Sequence, residues 1–322
     1  MAPNLAEMAV TNPRLTKDVL SRVITFANGK GGVGKTSCSA NFAGLCAAAG
    51  WTVLFVDFDA QGDAGNDLGY KNSEENDRGA HMLQVLDAHR PLQPVLRQVR
   101  PNLDVIPMGR KMLKMIEHVL EGKRQRGTEF RLMLAEALAP VARDYDLIVI
   151  DTPPDRPDVL QLVFGATRWL VIPTKSDRSS IGNLQDLAEE LEEVRHANPD
   201  IEILGVVPYD FDTNAGRIKR NAIEDIHAVL GDASDVFYDT EGEVVFIRHS
   251  NAAVDARNAG KLVHELAEMA QDEEEPWWQA LREGRKVDRI PGSVGGLAGD
   301  HLLLTNAILT RISSFEEAQE SA

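Results

Sequence analysis

Residues Gly29-Lys30-Gly31-Gly32-Val33-Gly34-Lys35-Thr36 constrain this chain more than any other stretch. They follow a short β-rich apolar run, residues 22–27. They lead into residues 37–49, where Cys38, Phe42, Leu45, Cys46 and Ala49 recur at spacings of three and four before Gly50 ends the pattern. Strand, glycine loop and helix in that order match both the residue pattern of a phosphate-binding P-loop and its context. Glycines let backbone N–H groups turn inward around phosphate oxygens, and a helix N-terminus adds partial positive charge. Lys35 is then expected to reach the β- and γ-phosphates and Thr36 to offer its hydroxyl to Mg²⁺, with Gly29, Gly31, Gly32, Val33, Gly34 and Ser37 completing the cradle. Lys30 is the extra residue. A P-loop needs one lysine, and a second here either sets another ammonium beside the same phosphates or points to solvent.

Such a loop sits at the edge of an α/β sheet, and the rest of the sequence supplies one. Residues 51–56, 103–107, 145–150, 169–172 and 202–207 are further apolar runs, and amphipathic patterns cover 129–142, 181–198 and 215–230. Continuous apolar strands alternating with amphipathic helices predict an α/β, doubly wound, mostly parallel sheet with helices on both faces, spanning residues 22–270. Residues 1–21 form an arm, and residues 271–322 a C-terminal helical extension. The extension opens on Asp272-Glu273-Glu274-Glu275-Pro276, an exposed and extended boundary, followed by Trp277-Trp278. Residues 292–299 read as a flexible glycine-rich link, and 301–315 as a helix with one apolar side.

Two more sites belong at the carboxyl edge of that sheet, where ligands of such folds bind. One is Asp57-Phe58-Asp59-Ala60-Gln61-Gly62. Carboxylates at i and i+2 share one side of a strand, so one can assist a metal and the other position water; capping the next turn is the alternative. The other is Leu147-Ile148-Val149-Ile150-Asp151-Thr152-Pro153-Pro154, an apolar strand ending on an aspartate suited to the Mg²⁺ shell.

These three motifs together resemble the ParA/MinD group of deviant Walker A ATPases, and DxDxQG resembles the ParA partition branch in particular. Residues 170–174, 203–207 and 246–260 are similar to the later elements of that group. The resemblance implies ATP sandwiched between two protomers, Lys30 crossing to the partner's phosphates, and a slow ATPase in which Asp59 orients the attacking water. It also implies Mg²⁺ supported by Thr36 and Asp151 with Asp57 nearby, Gln61 in a structural or switch role, and Pro208, Tyr209 and Asp210 on the adenine side, with Arg248-His249-Ser250 beside them. Its partners would be double-stranded DNA, bound without sequence preference, and a ParB-like protein that triggers hydrolysis. A cytoplasmic, nucleoid-associated location follows.

The chain carries 34 Lys and Arg against 50 Asp and Glu, a net charge of -16, so DNA must be met by a local patch. Arg217, Lys219 and Arg220 share a helix turn, with Arg248, Arg257 and Lys261 further on. A second cluster is Arg110, Lys111, Lys114, Lys123, Arg124, Arg126 and Arg131. Either is otherwise a solvated face. The 21-residue arm is too short for the helix-turn-helix domain of autorepressing ParA proteins, so operator binding is not expected.

Rival readings fit less well. A MinD-like membrane helix would be basic, whereas residues 301–315 hold only Arg311, so docking on the body or a partner is expected. Cys38 and Cys46 sit in one helix and suit neither a disulfide nor a metal pair, which sets aside iron–sulfur carriers and points to a reducing compartment. No run of eighteen apolar residues and no signal-peptide pattern occurs in the sequence. The remaining alternative is a MinD-like or orphan positioning ATPase acting on a protein or membrane scaffold.

Overall fold

Apolar segments bounded by glycine and polar residues become strands buried on both faces, which is possible only beneath two helical layers. The computed structural model describes residues 20–59, 61–126, 129–212, 216–230, 236–272 and 293–320. In chain order the elements are β1 (Val23–Phe26), α1 (Lys35–Ala48), β2 (Val53–Asp57), α2 (Asp63–Asp67), α3 (Ala80–Ala88), β3 (Leu96–Arg100), β4 (Leu103–Ile106), α4 (Arg110–Gln125) and α5 (Met133–Leu138). There follow β5 (Leu147–Asp151), α6 (Pro157–Phe164), β6 (Trp169–Thr174), α7 (Arg178–Arg195), β7 (Glu202–Phe211), α8 (Gly216–Leu230), β8 (Ile247–Arg248), α9 (Ala252–Asn258), α10 (Val263–Asp272) and α11 (Val294–Glu320).

The sheet has eight strands in the order β3-β4-β2-β5-β1-β6-β7-β8. All neighbours are parallel except the edge pair β3–β4. Alternation along each strand sorts side chains between the two faces. Val53, Phe55, Leu147 and Val149 share a core with Phe42, Leu262 and Leu266 beneath α1 and α10. Leu54, Val56, Ile148 and Ile150 join Leu113, Ile116 and Leu134 on the opposite side. Leu170 and Ile172 meet Leu184, Leu187 and Leu191 of α7. Each such side chain, fully buried, contributes about 1.5–3 kcal/mol.

The β3 and β8 edges were not expected from the sequence, because β3 mixes Arg97, Gln98 and Arg100 with its apolar residues and β8 is two residues long. The helix expected over 129–142 is confined to Met133–Leu138, with a separate 3₁₀ turn at Ala142–Asp144. The glycine-rich link expected at 292–299 is helical from Val294 onward, and α11 swallows it. Burial explains this: Val294 and Leu297 lie in the core, and Gly296 leaves room for the Arg248 guanidinium. The acidic boundary residues 273–276 and Trp277-Trp278 lie outside the described residues.

Helix α11 docks on the body, as its apolar side implies. Leu304, Ile308 and Ile312 are buried in the core that also holds α1 and α10. The Phe315 and Trp169 ring centroids are 5.1 Å apart. Arg311 stacks on Phe237 and donates to the Leu204 and Val236 carbonyls at 2.7 and 3.1 Å. At the other end Asp300, 4% exposed, accepts from the Arg248 backbone N–H at 3.0 Å and from its Nε and Nη2 at 2.6 and 2.7 Å. No described helix is long and apolar enough to cross a membrane.

His301 is buried on α11 with Nε2 unbonded among the described residues. Burial, reinforced by His264, pulls its pKa from 6.5 down to about 3. The unfolded chain takes up this proton below about pH 6.5 while the fold refuses it, so the contribution is intact above that pH and lost as pH falls toward 3. His301→Leu should flatten the fall in stability between pH 7 and 5.5 by about 1 kcal/mol. Melting temperature against pH for both proteins reads this directly, and parallel curves would refute it.

Candidate nucleotide site

The site is built where β1, β2 and β5 end level. Asp57 of β2 and Asp151 of β5 are register partners, and Phe26 of β1 is level with Asp151. Parallel pairing therefore puts two carboxylates side by side, with their backbones about 4.8 Å apart, facing the loop that leaves β1. Asn28, fully buried, pins that loop: its Nδ2 donates to the Pro173 carbonyl of β6 at 2.8 Å and its Oδ1 accepts from the Lys30 N–H at 2.9 Å. Gly32 and Gly34 have φ of 73° and 92°, a region that side chains avoid, so the reversal into α1 depends on them. A methyl at Gly34 would also overlap the Tyr209 ring.

Thr36 Oγ1 donates to Asp151 Oδ2 at 2.6 Å, while Asp151 Oδ1 is buried with no hydrogen-bond partner among the described residues. Asp57 is equally buried; its Oδ1 accepts from the Asp59 N–H at 2.7 Å and its Oδ2 from the Tyr70 hydroxyl at 3.0 Å. Asp59, 7% exposed, accepts from the Gln61 N–H at 3.0 Å. Burial drives all three carboxyl groups above the usual range, and charge repulsion adds to this, on Asp57 from Asp151 and Asp59 and on Asp151 from Asp59. Lys35 is buried and donates to the Lys30 carbonyl at 2.8 Å; burial lowers its pKa, opposed first by Asp151 and then by Asp59.

An orphaned carboxylate oxygen beside a threonine hydroxyl, with a buried ammonium close by, suits a Mg²⁺–phosphate group. The described residues offer no cluster of three or more carboxylate, histidine or cysteine groups that could cage a metal by themselves. That is the donor set of a cation that shares its shell with phosphate oxygens and water. Next to Ser37 a cavity of about 150 Å³ runs between Tyr209 and α9, lined also by Ala253, Val254, Ala256 and Arg257.

The expected adenine-side residues converge here in part. Tyr209 lies against the P-loop, and burial pushes its phenol up to about 12. Pro208 is buried in β7. Asp210, at φ 65°, holds Lys175 Nζ at 2.7 Å and His249 Nδ1 at 2.6 Å. Lys30 Nζ bonds Asp177 Oδ1 at 2.6 Å within its own chain. Asn28 and Tyr70 were not singled out in the sequence; Asn28 directly precedes the loop, which was the available signal, whereas Tyr70 reaches Asp57 only through the fold.

The fold uses the expected basic residues in different ways. Arg220 is exposed on α8, and the side chains of Arg217 and Lys219 lie outside the described residues. Arg248 is engaged by Asp300, and Arg257 by Asp67 through Nε and Nη2 at 2.6 and 3.1 Å. Of the other cluster, Arg110, Lys111 and Lys114 are exposed on α4, whose buried residues are Leu113, Ile116 and Leu120.

A family model described as an AAA domain matches residues 21–203, more than half of the chain. The chromosome partitioning protein ParA of Myxococcus xanthus is 32% identical over 209 residues, 64% of this chain and 71% of that protein. The chain belongs to the ParA/MinD family of P-loop ATPases. The cell division protein PomZ of the same organism is 34% identical over 187 residues, 58% of this chain and 56% of the relative. A Cyanothece McdA variant in complex with ATP shares the fold, with a TM-score of 0.63 at 22% identity, covering 83% of this chain and 97% of that one.

Asp151→Asn removes the carboxyl partner of Thr36, which is expected to help hold Mg²⁺. Wild-type affinity for ATP should rise when Mg²⁺ replaces EDTA, and the variant should bind ATP about equally in both. A full Mg²⁺ response in Asp151→Asn would show that the metal is held elsewhere.

Proposed function

We propose that this chain is an ATP-dependent dimerising ATPase that partitions DNA, binding it without sequence preference as an ATP sandwich dimer and leaving it after partner-stimulated hydrolysis. The observation that carries this reading is the convergence of Lys30, Lys35, Thr36, Asp59 and Asp151 on one sheet edge, in a chain whose relatives include ParA proteins.

The residues divide the work as follows. Backbone N–H groups of residues 29–34 and the Lys35 ammonium bind the β- and γ-phosphates, with Ser37 below them. Thr36 and Asp151 hold Mg²⁺, and Asp57 supports the shell through Tyr70 and the Asp59 N–H. When bound, Mg²⁺ neutralises charge across the phosphate oxygens. Asp59 orients the attacking water, its carboxylate tethered by the Gln61 N–H at 3.0 Å. Lys30 exchanges Asp177 for the phosphates of the second protomer, so dimerisation and ATP occupancy are linked. Tyr209, with the cavity beside Ser37, receives the nucleoside. The DNA-facing cations are Arg217, Lys219 and Arg220 of α8, while Arg248 and Arg257 shape the site from within.

The likeness to the cell division protein PomZ is compatible with a second reading, in which a positioning ATPase acts on a protein or membrane scaffold rather than on DNA. The two readings share a mechanism and differ in partner.

Lys35→Ala should abolish nucleotide binding, and Asp59→Ala should bind ATP and dimerise while losing turnover by a hundredfold or more, roughly the size of a lost water-positioning group. Normal hydrolysis by Asp59→Ala would remove it from that role. The deciding experiment is binding to random-sequence duplex DNA at moderate salt, with ATP, with ADP and without nucleotide, for wild type, Lys30→Ala and the Arg217/Lys219/Arg220→Glu triple variant. Partition predicts ATP-dependent binding that both variants lose; absence of binding under all conditions would favour the cargo-positioning reading.

A further inference from the structure

The tail helix α11 reaches the nucleotide site through an unbroken set of contacts. Gly34 of the P-loop packs against Tyr209 of β7. Tyr209 is the register partner of Ile247 and Phe211 that of Arg248, while the His249 N–H donates to the Phe211 carbonyl at 2.9 Å. Arg248 is in turn gripped by Asp300, which takes its backbone N–H and two guanidinium N–H groups. The Ser250 and Ser293 hydroxyls lie 3.2 Å apart, a second tie between the same two segments.

These contacts converge on one wall. Residues 247–251 lead directly into α9, and Ala253, Val254 and Ala256 of α9 line the cavity beside Ser37 and Tyr209. The β8 strand is only two residues long, so its ladder alone holds this segment weakly. A bidentate, charge-assisted pair fixes both distance and orientation. Asp300 also accepts the Arg248 backbone N–H, so it secures the main chain as well as the side chain.

We infer that Asp300 is a positioning residue of the nucleotide site, a part of the C-terminal extension that sets the nucleoside-side wall through Arg248. The inference rests on the ATP reading above. It assigns the extension a role in binding the base and ribose and none in holding the phosphates, which Lys35, Thr36 and the loop amides take without it.

That division supplies the test. Calorimetric titration of the full chain compares ATP with inorganic tripolyphosphate, which engages the P-loop and lacks the nucleoside. Asp300→Asn should weaken ATP about tenfold, the scale of a charge-assisted hydrogen-bond pair, and leave tripolyphosphate within about twofold. Should Asp300→Asn fail to fold, Gly296→Ala serves: its methyl would stand 2.5 Å from Arg248 Nη1, the mobile end of that side chain, and dislodge the fork without removing the buried carboxylate. It should show the same selective loss, smaller in size. Glu316→Gln, which breaks the pair with Arg22 at the far end of α11, should leave both affinities unchanged.

Unchanged ATP affinity in Asp300→Asn, or equal weakening of ATP and tripolyphosphate, would overturn the assignment. So would a selective loss in Glu316→Gln. A wild-type chain binding neither ligand would overturn the ATP reading itself and this inference with it, a result distinguishable because it fails before any substitution.

Discussion

Asp57 and Asp151 are held side by side by the pairing of β2 on β5, and the surrounding structure answers to that repulsion. Two buried like charges at this spacing are unfavourable unless something positive or donating faces them. The chain supplies the Tyr70 hydroxyl, the Asp59 N–H and the Thr36 hydroxyl, together with the Lys35 ammonium nearby. Among the described residues one oxygen, Asp151 Oδ1, is left without a partner. The sheet edge thus holds carboxyl groups whose ionised form burial disfavours, and a divalent cation set against them would favour that form.

The second organising element is α11, which crosses the back of the sheet from the site edge to the opposite ends of the strands. Arg311 can satisfy the Leu204 and Val236 carbonyls, and stack on Phe237, only when the helix sits at one height. Asp300 imposes the same condition at the other end. Hydrophobic burial of Leu304, Ile308 and Ile312 supplies the adhesion, and the polar pairs supply the register. The extension is therefore continuous with the main core.

Most of the scaffold and the phosphate side of the site could be read from the sequence, because both depend on local pattern. The central strands announce themselves as apolar runs, and Gly29 to Thr36 specify a backbone conformation by residue type alone. What escaped depends on distant partners. Leu96–Arg100 is a strand because it pairs with β4, although its own composition is polar. Residues 292–299 look like a linker, yet the chain is helical from Val294 onward and Gly296 lets that helix lie against Arg248. Arg248 and Arg257 look like available cations until the fold sets Asp300 and Asp67 against them. Composition reports charge, and only topology reports whether it is already spent.

Helix α1 has one more consequence. Its Cys38 and Cys46 are both buried in the core, and burial raises both thiols, Cys46 to about 12. Neither presents a thiolate to reagents at neutral pH. The native chain is therefore expected to react slowly with maleimide and related labels. A single cysteine introduced on the outer surface of α11, at the exposed Leu302 for instance, would carry a fluorophore or spin label against a low background, so ligand binding could be followed in the intact chain without first stripping its own cysteines.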